Sequence, residues 1–218
     1  KPFLVDATRL VIISATSLNA DRTLIYGFNN NDFTPSDRII SYGSCTVNAY
    51  VPIAHYINSH YRILESDVNI IHNTPKHSLP HWSMHTIQRK ETTLKKSAPI
   101  LLDFLRKNNF LTNYTLIPYS GVSMIDLRFR VKKVPRIGNF LKKLNVTCRD
   151  GKLKGLYFVD SVDREPDSYI GTAYSTVFLR NYIRILRDNI YIHGYFDNEN
   201  SANRYFDLVQ YVSNTLIK

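Results

Sequence analysis

"SCTVNAYVPIAHYI", residues 44–57, frames the rest of the chain. Val47, Tyr50, Val51, Ala54 and Ile57 recur at the spacing of one helix face. In front, "DRIISYGS" (37–44) reads as a strand running into a turn. Behind, "ILESDVNIIH" (63–72) reads as a strand that ends at His72. Cys45 stands in the first turn of the helix, after Ser44. Unpaired backbone N–H groups and the helix dipole stabilise an anion there, so a lowered thiol pKa is expected. A nucleophilic cysteine also needs a base within hydrogen-bond reach, and His72 can fold back beside the helix start. A buried structural cysteine is the commoner case, and the residues alone leave both readings open.

Outward from this unit, "RLVIISA" (9–15) and "TLIYGF" (23–28) are short apolar strands. Residues 73–92 are polar, contain Pro75 and Pro80, and read as a long ordered loop. "APILLDFLRKN" (98–108) and "PRIGNFLKKLN" (135–145) read as helices. "YTLIPYS" (114–120), "SMIDLRFRVKK" (123–133), "GLYFVD", "YSTVFL" and "NIYIHGYF" read as strands. The last segment, 204–218, is an amphipathic helix with Tyr205, Leu208, Val209, Val212 and Leu216 on one face. The fold class is α+β: a mostly antiparallel or mixed sheet with helices on one face.

At 218 residues, with 44% hydrophobic and 21% charged residues, the chain can bury a real core. No apolar run approaches the roughly 20 residues of a membrane span, and no signal or transit pattern opens the chain. Two cysteines make no disulfide framework, so a cytoplasmic, reducing setting is expected. The net charge of +10 raises nucleic acid or an anionic substrate as partners. The basic residues come in scattered pairs such as Lys132–Lys133 and Lys142–Lys143, with no run of five, so a solvated surface is the plainer reading.

Two further clusters bear on chemistry. His77, His81 and His85 are spaced by four, as helical metal ligands can be. Pro80 interrupts such a helix and no acidic residue or cysteine completes the set, so no metal is expected. "YFDNENSANRYFDLV" crowds asparagines, acids and Arg204 ahead of a helix, and helix capping accounts for only some of them. Cys148, in "NVTCRD", has no pattern around it and reads as structural or incidental.

With these residues in place, a resemblance emerges. "SCTVNAYVPIAHYI" resembles the active-site segment of the glyceraldehyde-3-phosphate dehydrogenases, in which "SCTTN" leads into an apolar helix with proline at the offset of Pro52. In that family a catalytic histidine follows the cysteine by 27 positions, and His72 stands there. "YFDNENSANR" resembles the family's "W-Y-D-N-E…S-N-R" block with one residue fewer. "LKG" (153–155), "SYIGTAYSTVF" (168–178), "VIISA" and "YGFN" are also similar, so the match covers nearly the whole chain.

The resemblance implies three parts: residues 1–43 as the last strands of a Rossmann-type nucleotide domain, 44–203 as the catalytic domain, and 204–218 as a helix packing toward the nucleotide domain. It implies oxidation of an aldehyde through a Cys45 thiohemiacetal and thioester, with His72 as base and hydride passing to NAD or NADP. Asn198 matches the residue that holds the nicotinamide. Ser44, Thr46 and Thr93 match the site of the attacking inorganic phosphate. A homo-oligomer, a tetramer in the family, is implied as well. No G-x-G-x-x-G occurs in the chain, which opens on Lys1. A fragment, or a protein without its own nucleotide domain, is therefore expected, with NAD held mainly by residues outside it. As it stands, the chain is expected to bind NAD only weakly and to be inactive alone.

Departures from the family pattern fall on the substrate side. Leu116 stands where the family has the arginine that binds the substrate phosphate. Pro75 and His77 replace two threonines, and Leu94 replaces a glycine that lets backbone approach the anion. A leucine makes no charge-assisted bond to phosphate. Lys76 or Arg89 is a candidate replacement contact. Two alternatives stand beside the dehydrogenase: a non-catalytic scaffold or basic binding module, and a Cys–His acyltransferase or hydrolase that does not use NAD.

Overall fold

The alternation in "SMIDLRFRV" puts Ile125, Leu127, Phe129 and Val131 on one side of a strand and Met124, Asp126, Arg128 and Arg130 on the other. A computed structural model, which describes residues 4–74 and 87–217, builds the fold around that strand. In chain order the elements are β1 (Val11–Ile13), β2 (Arg22–Thr23), β3 (Ile39–Ser41), α1 (Cys45–Tyr61), β4 (Ile63–Asn73), β5 (Gln88–Arg89), α2 (Leu94–Leu101) and β6 (Phe110–Ile117). They continue with β7 (Ser123–Val131), α3 (Ile137–Asp150), β8 (Tyr157–Asp160), β9 (Thr176–Leu179), β10 (Arg184–Leu186), β11 (Asn189–Phe196) and α4 (Glu199–Leu216).

The main sheet has eight strands in the order β5-β6-β4-β7-β11-β9-β8, with β10 pairing β11. The β4–β6 and β8–β9 pairs are parallel and the others antiparallel, giving a mixed sheet in an α+β fold. Val68, Ile70, Ile125, Leu127, Phe129, Ile190 and Ile192 face the apolar sides of α1 and α3 in one continuous core. Each such side chain contributes about 1.5–3 kcal/mol by leaving water. The opposite face carries ion pairs instead: Arg128 with Asp67 at 2.5 Å, Arg130 with Glu65 at 2.6 Å, and His193 with Asp126 at 2.6 Å.

Helix α1 contains Pro52, which has no N–H to give the Asn48 carbonyl. Tyr157 repairs the break. Its fully buried hydroxyl lies 3.2 Å from the Asn48 carbonyl and 3.0 Å from that of Ala49, and accepts the Ile53 N–H at 3.2 Å. One phenol from β8 thus satisfies the groups a proline frees inside the helix that carries Cys45.

A second, parallel sheet, β1-β3-β2, occupies the N-terminal part. Leu24, Phe33, Ile40 and Tyr42 pack there against Leu208 and Val212 of α4, and the Tyr205 hydroxyl donates to the Ile12 carbonyl at 3.1 Å.

Several boundaries differ from expectation. α2 begins at Leu94, not 98, and ends before Leu102. Leu102 and Leu105 are buried in an irregular turn, where the Asn109 side chain ties Arg106 N and the Phe104 carbonyl. β6 starts at Phe110 and stops at Ile117, because Pro118 cannot extend the ladder. In "TLIYGF" only Thr23 is in a strand; Leu24 to Phe28 turn away, with Asn29 holding Ile25 N. α4 starts at Glu199, five residues early, and Leu216 on its expected face is exposed. The expectations for Pro75, Lys76, His77, Pro80, His81 and His85 lie outside the described residues.

Candidate active site

Strand β3 delivers the chain to Gly43, whose φ of 87° is a conformation glycine adopts freely. A Cβ there would also stand 2.7 Å from Ile25 Cδ1. Ser44 then caps α1, its Oγ accepting the Val47 N–H at 3.4 Å. This places Cys45 as the first helical residue. The backbone N–H groups of Cys45 and Thr46 point at its sulfur.

The parallel register of β4 and β6 sets His72 beside Leu116, with Ile70 beside Tyr114, all on the helix-facing side. The His72 Nε2 lies 3.5 Å from Cys45 Sγ. Its Nδ1 lies 2.8 Å from the Asn73 carbonyl, which can only accept; Nδ1 therefore carries the proton and Nε2 offers a lone pair to the thiol. The ring sits between Tyr114, centroids 5.5 Å apart, and the edge of Phe196 at 5.7 Å. Burial in this apolar setting holds the His72 pKa below its ordinary value.

The thiol departs from expectation. Burial pushes the Cys45 pKa up to about 11, against the opposing hydrogen bonds of two backbone N–H groups and the Ser201 hydroxyl. The helix start is present, but desolvation of the thiol outweighs it, and His72 beside the sulfur is likewise held toward its neutral form by burial. The resting pair is thiol and imidazole. Cys148 is buried in the core with its pKa raised to about 12 by burial, as a structural residue would be.

Hydroxyls gather at the start of α1. Ser44 Oγ lies 3.2 Å from Thr46 Oγ1 and 3.1 Å from Thr93 Oγ1, and Thr46 Oγ1 lies 3.3 Å from Thr92 Oγ1. Thr92 also accepts the Leu94 N–H at 3.2 Å. The Leu94 side chain is fully buried in the core.

At the far end of the site, Asn198 Nδ2 donates to Asn73 Oδ1 at 3.4 Å. Asn73 is itself fixed by Ser123, whose hydroxyl donates to the same oxygen at 2.9 Å. The rest of the "DNENSANR" block stitches the fold: Asp197 accepts the Gly171 N–H, Asn200 donates to the Ser175 carbonyl, and Arg204 donates to the Gly155 carbonyl at 2.8 Å. The Asn198 side chain makes no cap bond.

No family model matches the chain. Curated glyceraldehyde-3-phosphate dehydrogenases do. A chloroplastic enzyme of Arabidopsis thaliana is 26% identical over 226 residues, 96% of this chain and 52% of the relative. The cytosolic enzyme of Dianthus caryophyllus is 29% identical over 227 residues, 97% of this chain and 66% of the relative. That of Helicobacter pylori is 27% identical over 202 residues. The chain is a divergent relative of the glyceraldehyde-3-phosphate dehydrogenases. It spans about half to two thirds of the length of these relatives.

Within this divergent relative, the structure brings Cys45, His72, Ser44, Thr46 and Thr93 around one helix start, with Asn198 linked through Asn73. Sequence reading missed Tyr114, Phe196, Thr92, Asn73 and Ser201. Tyr114 was within reach of it, since strand alternation puts residues 114 and 116 on one face. Ser201 carried no signal, because the helix start that positions it was misplaced. No described helix is long and apolar enough to cross a membrane.

Proposed function

We propose that the chain is the catalytic part of an oxidoreductase that converts an aldehyde to a thioester on Cys45, with an uncharged acyl group. The observation that carries this is the Cys45–His72 pair at 3.5 Å, with Nε2 as the acceptor. The carbonyl π bond breaks as the Sγ–carbon bond forms, and the thiol proton passes to Nε2. His72 then returns that proton to the alkoxide, giving a neutral thiohemiacetal. The Cys45 N–H steadies the oxyanion in between. A nicotinamide dinucleotide, when bound, supplies the acceptor for the hydride that leaves the thiohemiacetal carbon. His72 takes the hydroxyl proton in that step, leaving a Cys45 thioester. Phosphate or water then breaks the carbon–sulfur bond and the thiol regains its proton.

Asn198 fits the nicotinamide. Its NH₂ is engaged by Asn73, and its carbonyl oxygen has no donor among the described residues, so it can accept from a carboxamide. The Ser44, Thr46, Thr92 and Thr93 hydroxyls suit an attacking phosphate. The parallel β1-β3-β2 sheet, packed on α4 in its own cluster, supports reading residues 1–43 as the edge of a nucleotide-binding unit, with the catalytic unit from 44.

The substrate side supports an acyl group without a phosphate. Tyr114, Leu116 and Phe196 flank His72, and the half-buried Leu116 belongs to no core cluster among the described residues, which suits an apolar contact to the substrate. The test needs no nucleotide. Aldehydes are assayed for protecting Cys45 from iodoacetamide, read by peptide mapping. Uncharged aliphatic and aromatic aldehydes protect it, phosphorylated aldehydes do not, and Leu116→Arg narrows the difference. Protection by phosphorylated aldehydes alone would overturn the substrate assignment, and protection by none would overturn the function.

A further inference from the structure

Two of the lysine pairs that look scattered in sequence, Lys132–Lys133 and Lys142–Lys143, share one surface. Residues 132–154 hold eight of the chain's 28 lysines and arginines and one acidic residue, a net +7 of the total +10. Helix α3 turns Phe140, Leu144 and Cys148 into the core and leaves Lys142, Lys143, Val146 and Arg149 exposed. The backbone N–H groups of Lys132 and Lys133 donate to the Arg62 and Tyr61 carbonyls, which brings those lysines and Arg62 to the end of α1 beside α3. Arg149 is paired with Asp150. Arg62, Lys132, Lys133, Lys142, Lys143 and Lys154 have no acidic partner among the described residues. The outer sheet face differs: there Arg128 and Arg130 are neutralised by Asp67 and Glu65. Unneutralised like charge repels itself and attracts a polyanion.

Grooves flank α3 on both sides. One, of about 530 Å³, lies between α1 and α3 and is lined by His60, Asn139, Lys142 and Lys143. The other, of about 330 Å³, is lined by Asn145, Arg149, Lys154, Phe158 and Tyr174. Phe158 is 41% exposed and stacks on Tyr174, centroids 5.6 Å apart at 22°. An exposed aromatic platform beside lysines matches a ligand that alternates anionic groups with flat rings.

We propose that the α3 face binds single-stranded nucleic acid, with Lys132, Lys133, Lys142 and Lys143 on the phosphates and the Phe158–Tyr174 stack under a base. A duplex would hide its base faces from that stack. A bilayer would need more apolar surface than Val146 supplies on the charged face of α3. This site is separate from Cys45 and does not rest on the proposed chemistry.

The test is fluorescence anisotropy of a labelled single-stranded oligonucleotide of about 16 nucleotides with the whole chain, across a salt series. Four phosphate contacts predict a slope of log affinity against log salt of about −2.8. Lys142→Ala/Lys143→Ala flattens it by about 1.4. Phe158→Ala weakens binding about tenfold and leaves the slope unchanged. Thermal melts check that both variants remain folded. No binding at low salt, binding indifferent to the lysine variant, or equal binding of polyphosphate with no effect of Phe158→Ala would overturn the proposal. So would a preference for anionic vesicles over the oligonucleotide.

Discussion

Titrating Cys45 by alkylation separates a buried neutral thiol from a pre-ionised one. Cys45 is half-buried, and that desolvation pushes its pKa up to about 11. At pH 7.5 such a thiol is about 0.03% thiolate, against about 9% for an ordinary cysteine near 8.5. The more basic thiolate is about tenfold more nucleophilic, on a Brønsted coefficient of roughly 0.45. Iodoacetamide should therefore modify Cys45 about 20-fold more slowly than a cysteine peptide at pH 7.5. The rate should climb about tenfold per pH unit from 7 to about 10, the slope of a thiol still far from its midpoint. Peptide mapping assigns the modification, with Cys148 as an internal control whose pKa is raised still further. A plateau beginning below pH 8 would refute the reasoning, because it requires a thiolate–imidazolium pair that burial of both groups disfavours.

Two further outcomes follow from the same structure. Tyr157→Phe removes the hydroxyl that repairs the Pro52 break, and should cost about 1–3 kcal/mol in urea unfolding, with slower Cys45 acylation. Stability should be highest between about pH 7 and 8.5 in pH-dependent melts. The raised thiol pKa values stabilise below about 9 and are lost as pH rises toward 11. The lowered His72 pKa withdraws stability as pH falls below 6.5.

Elements with a strict period were legible in the sequence. The β7 alternation fixed the core face, the α1 stripe named residues that are all buried in a helix covered on nearly every side, and the distance from Cys45 to His72 carried the candidate pair. What failed had non-local causes. The start of α2 depends on Leu94 and Ala98 reaching a core built from distant strands, and the start of α4 on Asn198 meeting Asn73. The thiol pKa was misjudged because a helix start is a local feature, whereas desolvation depends on everything packed around the sulfur. The basic face went unnoticed because Lys132 and Lys142 are ten residues apart in sequence and joined only by the turn into α3.

Acyl transfer to Cys45 tests the central claim most directly. The whole chain is mixed with the p-nitrophenyl ester of an uncharged carboxylic acid, and the acyl-enzyme is followed by intact mass and peptide mapping, without nucleotide. One acyl group should appear on Cys45, and His72→Gln should slow its formation by about 10²–10⁴-fold while the melt stays cooperative. Acylation spread over surface lysines, or a rate on Cys45 indifferent to His72, would contradict the account.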